Sequence, residues 1–362
     1  MAKKKIGVLT GGGDAPGLNA VIYALTKTCI TKFGYELIGY RFGYRGLYTN
    51  DVIPLTLEST SGILHRGGTI LYASNKDNLF DYTVEEDGVS VKKDVSDKAI
   101  ENLNKDNVDC LVILGGDGTL TSARDFSRKG FPVIGVPKTI DNDLAITETT
   151  FGFDTAVNIV TENLGRLHTT AESHHRVIIA EVMGRTAGWI ALHSGIAGSA
   201  DVILVPEIPF RLDKIVEKIQ QRDAAGKPFT VIVVGEGAKE AGGEVVVNKI
   251  VEDSPDPIRL GGIGAKLAHD LEPMVGHEVR SVALGHIQRG GETSAHDRVL
   301  SCRYGVAAAH MIHDKRYGNM VCFRKGRMEY ESLEKIGGMN KLVDPRGEMV
   351  HVARSLGISF GD

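Results

Sequence analysis

Ile6-Gly7-Val8-Leu9-Thr10-Gly11-Gly12-Gly13-Asp14-Ala15-Pro16-Gly17-Leu18-Asn19 decides the fold. A short apolar run closes on three glycines, after which Leu18, Val21, Ile22, Leu25 and Cys29 recur at helical spacing. Strand, glycine turn and helix in that order open an α/β unit. The order returns at Cys110–Leu114, which ends in Gly115-Gly116 before a helix-like stretch, while Glu36–Tyr40 and Pro132–Val136 read as further strands. A second series follows, with strands at Val177–Val182, Val202–Val205 and Thr230–Val234 and a helical stretch over Leu212–Gln221. Apolar strands without in–out alternation, separated by helices, predict parallel sheets covered on both faces. The expected class is therefore α/β: two three-layer α/β domains, mainly parallel sheets, with a cleft between them. Ligands of such sheets bind outside the carboxyl ends of the strands. Thr83–Lys105 is charged and irregular and is expected to be a solvated surface segment leading into a helix.

Composition sets the outer limits. The 362 residues exceed one ordinary core, and 42% apolar with 24% charged residues is the balance of a globular protein. With a net charge of -4 and Lys and Arg scattered rather than striped, nothing points to nucleic acid. Cys29, Cys110, Cys302 and Cys322 lack metal-ligand spacing and suit reduced core positions in a reducing compartment. Met1–Lys5 is basic, yet the apolar run behind it is too short for a signal peptide or a membrane span, so a cytoplasmic protein is expected.

Three clusters carry chemistry. In Gly11–Asn19 the glycines let the backbone approach an anion at a helix start. The segment lacks the Gly-Lys-Ser/Thr of a Walker loop, and Gly17 comes one residue late for a dinucleotide turn; a plain tight turn is the competing reading. Gly115-Gly116-Asp117-Gly118-Thr119 repeats the arrangement with a carboxylate, placed either to hold Mg²⁺ against phosphate oxygens or to cap the helix. Pro137-Lys138-Thr139-Ile140-Asp141-Asn142-Asp143 puts two carboxylates two residues apart behind a strand. One of them can take a proton from a hydroxyl, or the segment is an Asx turn. Later in the chain Arg176, Arg185, Arg280, Arg289 and His286 fall near predicted strand ends, and guanidinium forks suit a sugar phosphate. Glu236, between two glycines, can accept from sugar hydroxyls.

These segments resemble the phosphofructokinases over nearly the whole chain. Gly12–Asn19, Gly115–Thr119, Pro137–Asp143, Met183-Gly184-Arg185 and Leu284-Gly-His-Ile-Gln-Arg-Gly-Gly291 follow that family's motifs in order. The resemblance implies phosphoryl transfer to the 1-hydroxyl of fructose 6-phosphate with Mg²⁺ as cofactor, Asp141 as base and Asp117 as metal ligand. It assigns Gly13, Gly116, Gly118 and Thr119 to the donor, with Lys76 as a further candidate. Thr139, Met183, Gly184, Glu236, His286 and Arg289 match sugar-phosphate positions, and Arg185 steadies the transferred group. Arg176 and Arg280 match arginines that reach a neighbouring subunit's site, implying a homo-oligomer, a tetramer or a dimer. A donor-binding domain of residues 1–152 plus about 287–337, and a sugar-phosphate domain of 153–286 plus about 338–362, are expected.

The donor signature is mixed. Relatives that use pyrophosphate usually carry Asp at the position of Gly118 and Lys at that of Lys138, and this chain matches only the second. A carboxylate at 118 would crowd and repel the α-phosphate of a nucleotide, whereas glycine leaves room, so ATP is the expected donor and pyrophosphate the alternative. A non-catalytic sugar-phosphate or nucleotide-binding regulator is a more distant alternative, disfavoured by Asp117, Asp141 and Arg185 together. Two positions depart from the family. Asn75 stands where many relatives have an arginine that reaches the transferred phosphate, with Lys76 beside it. Tyr23, Lys27 and His168 occupy what is an arginine-rich effector site in allosteric relatives, which predicts weak or absent regulation by ADP or phosphoenolpyruvate.

Overall fold

The computed structural model describes residues 3–75, 77–86, 88–250, 258–337 and 340–362. Its strands are β1 Lys5–Thr10, β2 Glu36–Tyr40, β3 Val52–Leu55, β4 Tyr82–Glu86, β5 Val89–Lys93, β6 Cys110–Gly115, β7 Val133–Pro137, β8 Val177–Val182, β9 Val202–Leu204, β10 Thr230–Gly235, β11 Val247–Ile250, β12 Ile258–Leu260, β13 Val279–Ala283, β14 Asn319–Arg324 and β15 Arg327–Ser332. The helices are α1 Leu18–Phe33, α2 Tyr44–Thr49, α3 Ser96–Lys105, α4 Asp117–Arg128, α5 Phe153–His174, α6 Trp189–Ala197, α7 Leu212–Ala224, α8 Ile263–Leu271, α9 Ala295–His313 and α10 Glu348–Ser355. Short 3-10 turns include Gly285–Arg289.

Two sheets organise the chain. The first runs β15-β14-β7-β6-β1-β2-β3, parallel from β14 to β2 with antiparallel β3 and β15 at its edges. The second, β13-β8-β10-β9, is wholly parallel. Every residue of β6, β7, β8 and β10 is buried, which is why these strands read as unbroken apolar runs. Each sheet is covered on both faces. Ile6, Val8, Val112 and Val136 pack with residues of α1 and α9, while Leu9, Leu111 and Ile113 pack with residues of α3 and α4. Around the second sheet, Ile178 and Val233 join α5, α6 and α10, and Ile179 and Val234 join α7 and α8. The expected three-layer α/β architecture is the observed one.

Two local readings change. Thr83–Lys105 is not irregular: β4 and β5 form an antiparallel hairpin with Val84 opposite Val91, and α3 follows. Gly88, at φ +77°, supplies the reversal, and Glu85, Lys92 and Lys93, which obscured the strands, face solvent. Gly17 has a packing role rather than one of anion approach. It caps α1 at φ +101°, and a Cβ there would lie 2.4 Å from Ser301 Oγ and 2.8 Å from the Phe151 ring.

The sheet order brings distant motifs together. β1, β6 and β7 are neighbours, so the turns at 11–16, 115–117 and 138–143 leave adjacent carboxyl ends. β8, β10 and β13 are neighbours as well, and their carboxyl ends carry Met183–Arg185, Glu236 and the 284–290 turn. Ala15 and Ile140, from the turns of the first sheet, pack into the same core as Phe153, Val182 and Val205. The two sets of strand ends thus meet across one seam.

Candidate active site

The two glycine turns differ in how they are held. Gly11 N–H donates to Leu114 C=O at 2.9 Å, and Gly12 N–H to Ser74 C=O at 3.0 Å. The Thr119 side chain fills the space between the turns: a Cβ at Gly11 would stand 2.6 Å from it, and one at Gly115 2.3 Å. Only glycine lets the turns close on each other. Asp117 opens α4 behind the Gly116 cap, and Gly118 follows in the same first turn. There the geometry opens, because a Cβ at Gly118 would meet no described atom within 4 Å. The helix start thus offers N–H groups and positive dipole to an anion in accessible space.

The third turn is the most charged. The Asp141 N–H donates to Thr139 Oγ1 at 3.0 Å, which orients the residue, and Asp141 Oδ1 is buried without a hydrogen-bond partner among the described residues. Burial pushes the Asp141 carboxyl above the ordinary aspartate range, opposed by the positive fields of Arg289, Lys138 and Arg185. Asp143, also raised by burial and by repulsion from Asp141, reaches about 6. The two carboxyls titrate as a pair. Lys138 is buried at 4% exposure with its Nζ 2.5 Å from Gly13 C=O. Burial and the field of Arg289 lower it to about 8.

Across the seam, Arg185 has φ +53°, uncommon for a residue with a Cβ. Its N–H donates to Glu236 Oε1 at 3.0 Å, and a Cβ at Gly237 would fall 1.9 Å from Arg185 C=O, so the loop is pressed onto the end of β10. Burial lifts Glu236 to about 7, with Asp141 adding repulsion. Met183 N–H donates to the buried Gln288 Oε1 at 3.3 Å, tying the 183–185 loop to the 285–289 turn. From that turn Arg289 Nη1 reaches Asp14 C=O at 2.9 Å. His286 is exposed on the same turn.

Of the residues singled out from the sequence, Gly13, Gly116, Asp117, Gly118, Thr119, Lys138, Thr139, Asp141, Met183, Gly184, Arg185, Glu236, His286 and Arg289 belong to these converging strand ends. Arg176 and Arg280 do not. Arg176 precedes β8, and Arg280 is the second residue of β13 opposite Ile178, at the amino end of the second sheet. Both arginines pair with Glu278, and Arg280 also lies 3.5 Å from Glu272. Lys76 lies outside the described residues. The sequence reading missed Lys341, which donates to Asn142 Oδ1 at 2.8 Å; it lies almost two hundred positions from that turn and belongs to no motif.

The surroundings of Asp117 suit magnesium. Its carboxyl is half-buried at a helix start beside open space, and burial raises its proton affinity against the pull of Arg124 and a hydrogen bond from the Gly337 backbone. Among the described residues no three ligating side chains cluster. One carboxylate completed by phosphate oxygens and water is the usual protein contribution to Mg²⁺, so the site suits an ion that arrives with a phosphorylated donor.

An open helix start and half-buried carboxylates on adjacent strand ends, facing arginine-bearing loops across the seam, are the arrangement a phosphoryl-transfer site needs. The sequence model of the phosphofructokinase family matches residues 5–312, and the chain belongs to that family. It is 68% identical over 361 residues to ATP-dependent 6-phosphofructokinase 2 of Clostridium perfringens, covering 99% of both chains. It is 44% identical to the pyrophosphate–fructose 6-phosphate 1-phosphotransferase of Streptomyces coelicolor, covering 99% of this chain and 100% of the relative. Among solved structures, Saccharomyces cerevisiae phosphofructokinase aligns with TM-score 0.79 and 29% identity, over 92% of this chain and 45% of the yeast chain. No helix among the described residues is long and apolar enough to cross a membrane.

Proposed function

We propose that the protein is an ATP-dependent 6-phosphofructokinase acting in glycolysis in the cytoplasm, transferring the γ-phosphoryl group of ATP to O1 of fructose 6-phosphate. One observation carries the choice of donor: the first turn of α4 is open at Gly118, where a nucleotide's α-phosphate would otherwise meet a side chain. The 68% identity to a relative named for ATP supports it.

Asp141 is the base. Its buried, unsatisfied Oδ1 takes the proton of the 1-hydroxyl as O1 bonds to the γ-phosphorus and the bond to the bridging oxygen breaks, releasing ADP. Arg185 offsets charge on the group in transit, and Thr139 orients Asp141. The turn at Gly13 and the helix start at Gly116–Thr119 bind the donor, with Lys138 beneath them and Lys76 assigned to the donor from the sequence. Asp117 would hold Mg²⁺, which supplies charge neutralisation on the donor's phosphates. Met183, Gly184, Glu236, His286 and Arg289 hold the sugar phosphate. Arg176 and Arg280 serve a neighbouring subunit's sugar-phosphate site, in a homo-oligomer of four or two chains. Their place at the far end of the second sheet supports that role, as does exposed β13 at its edge. The two sheets support the proposed domain division, with residues 1–152 and about 287–337 on the donor side and 153–286 and about 338–362 on the sugar-phosphate side.

Pyrophosphate is the second reading, favoured by Lys138 close to Gly13 and by the 44%-identical relative. A coupled assay of fructose 6-phosphate with ATP and, separately, with pyrophosphate decides between them. Turnover with ATP is expected, and turnover with pyrophosphate alone overturns the choice of donor.

A further inference from the structure

Residues 340–343 form a strap across the seam. Asn340 bridges Leu144 in antiparallel sense, and the Lys341 N–H donates to Asp143 C=O at 2.7 Å. On the other side, Lys341 C=O accepts from Trp189 Nε1 at 2.7 Å. Val343 N–H donates to Glu207 Oε1 at 2.8 Å, and the same carboxylate holds Gly188 N–H at 3.0 and 3.2 Å, three residues beyond Arg185. The strap therefore touches both the Asp141 turn and the loop that carries Arg185.

The Lys341 side chain is used in an unusual way. Its ammonium donates to Asn142 Oδ1 at 2.8 Å, Glu148 C=O at 2.7 Å and Thr147 C=O at 3.2 Å, so all three donors go to neutral acceptors. Asn142 sits at φ +53° between the two carboxylates, and its Oδ1 also accepts from Thr150 N–H at 3.2 Å. Lys341 is half-buried with no carboxylate among the described residues hydrogen-bonded to its ammonium, and desolvating such a charge is costly. It is lowered to about 8 by burial, with only the fields of Asp143 and Glu148 in its favour. A cation kept in such a place acts on what it faces.

We propose that Lys341 is a positioning residue for phosphoryl transfer. It fixes the backbone between Asp141 and Asp143 through Asn142 and places a positive charge beside Asp143, which favours the ionised form of the pair. The inference rests on Asp141 being the base. Asp141 faces Arg289, Lys138, Arg185, Asp143 and Glu236; Asp143 faces Asp141, Arg185, Lys138 and Lys341; and Lys341 faces Asp143, Glu148 and the ring of His193. Because Lys341 favours the ionised pair, its removal raises the pair's proton affinity, and activity should then be lost at higher pH as the medium is acidified.

The test is the kcat–pH profile of the full-length protein at saturating ATP and fructose 6-phosphate for wild type, Lys341→Met, Lys341→Gln and Lys341→Arg, with thermal melts alongside. In the Met and Gln variants the acid limb should move up by about half a pH unit or more, and kcat at neutral pH should fall roughly tenfold, as for a lost charge-assisted contact. Lys341→Arg should keep the limb near its wild-type place. A neutral variant with reduced amplitude but an unmoved limb overturns the proposal, since loss of active protein lowers amplitude alone. Failure of both neutral variants to fold overturns it too, because the lysine would then serve the fold. Asp141→Ser separates the two claims. If that variant stays active the base assignment fails; if it is inactive while the neutral variants keep the wild-type limb, only the role of Lys341 fails.

Discussion

Two charged clusters sit at opposite ends of the strands and are built on opposite terms. At the carboxyl ends, Asp141 has a buried Oδ1 with no partner among the described residues, Asp143 is raised to about 6, and the buried Lys138 is lowered to about 8. At the amino end of the second sheet, Arg176 and Arg280 both pair with Glu278, Arg280 also with Glu272, and the Arg280 side chain is 54% exposed. Surface pairs of this kind contribute little to stability and are cheap to exchange for a partner outside the chain. Buried charges without matched partners are costly, so a fold retains them where chemistry needs a displaced proton affinity. Charge density alone would treat the two clusters as equals; burial and pairing separate them.

The sharpest way to break that contrast is Asp141→Ser. If Asp141 is the base as proposed, turnover should fall by about 10²–10⁴-fold, the usual contribution of a positioned acid or base, while fructose 6-phosphate binding measured by calorimetry stays largely intact. Surviving turnover would reduce the cluster to a structural one. Gly118→Asp probes the open margin of the same site. A carboxylate there meets no described atom, so the melting temperature should hold. Repulsion between unit charges ~4 Å apart is about 4 kcal/mol at an effective dielectric of 20, less where water screens it. Steady-state kinetics should therefore show kcat/KM for ATP falling roughly tenfold to a hundredfold, and an unchanged value would remove Gly118 from donor selection. Arg280→Ala addresses the other cluster and should have the smallest effect. Losing an exposed pair costs about 0–1 kcal/mol of stability, whereas a lost charged contact to a sugar phosphate raises KM by about tenfold. A raised KM with an unchanged melt would support a role in a neighbouring site, and an unchanged KM would leave the pair structural.

Much of the fold was legible because its determinants are local. Strands buried on both faces announce themselves as apolar runs, and Val177–Val182 was bounded to the residue. The β4–β5 hairpin was lost because an exposed ribbon has no apolar face to signal it. The turns at 11–17, 115–119 and 137–143 were legible from residue type alone, since glycine at a strand end and paired carboxylates have few local explanations. What each glycine does was not. Gly11 and Gly115 make room for Thr119, Gly17 for Ser301 and Phe151, and Gly118 for nothing in the described chain.

By itself, then, the sequence determined the α/β class, the strand ends that carry chemistry and the identity of Asp141, Asp117 and Arg185 as candidates. The class and the strand ends follow from hydrophobic period and short-range spacing, which a linear chain displays, whereas the choice of these three residues follows from the resemblance to the phosphofructokinases. Tertiary structure alone decided that Arg289 reaches Asp14, that Lys138 is buried beneath the first turn, that Arg176 and Arg280 stand apart, and that Lys341 grips Asn142 from nearly two hundred residues away. Each of these is fixed by which strands lie side by side and how two sheets meet. Proton affinity follows from the same placement, because it depends on burial and on charges brought close in space.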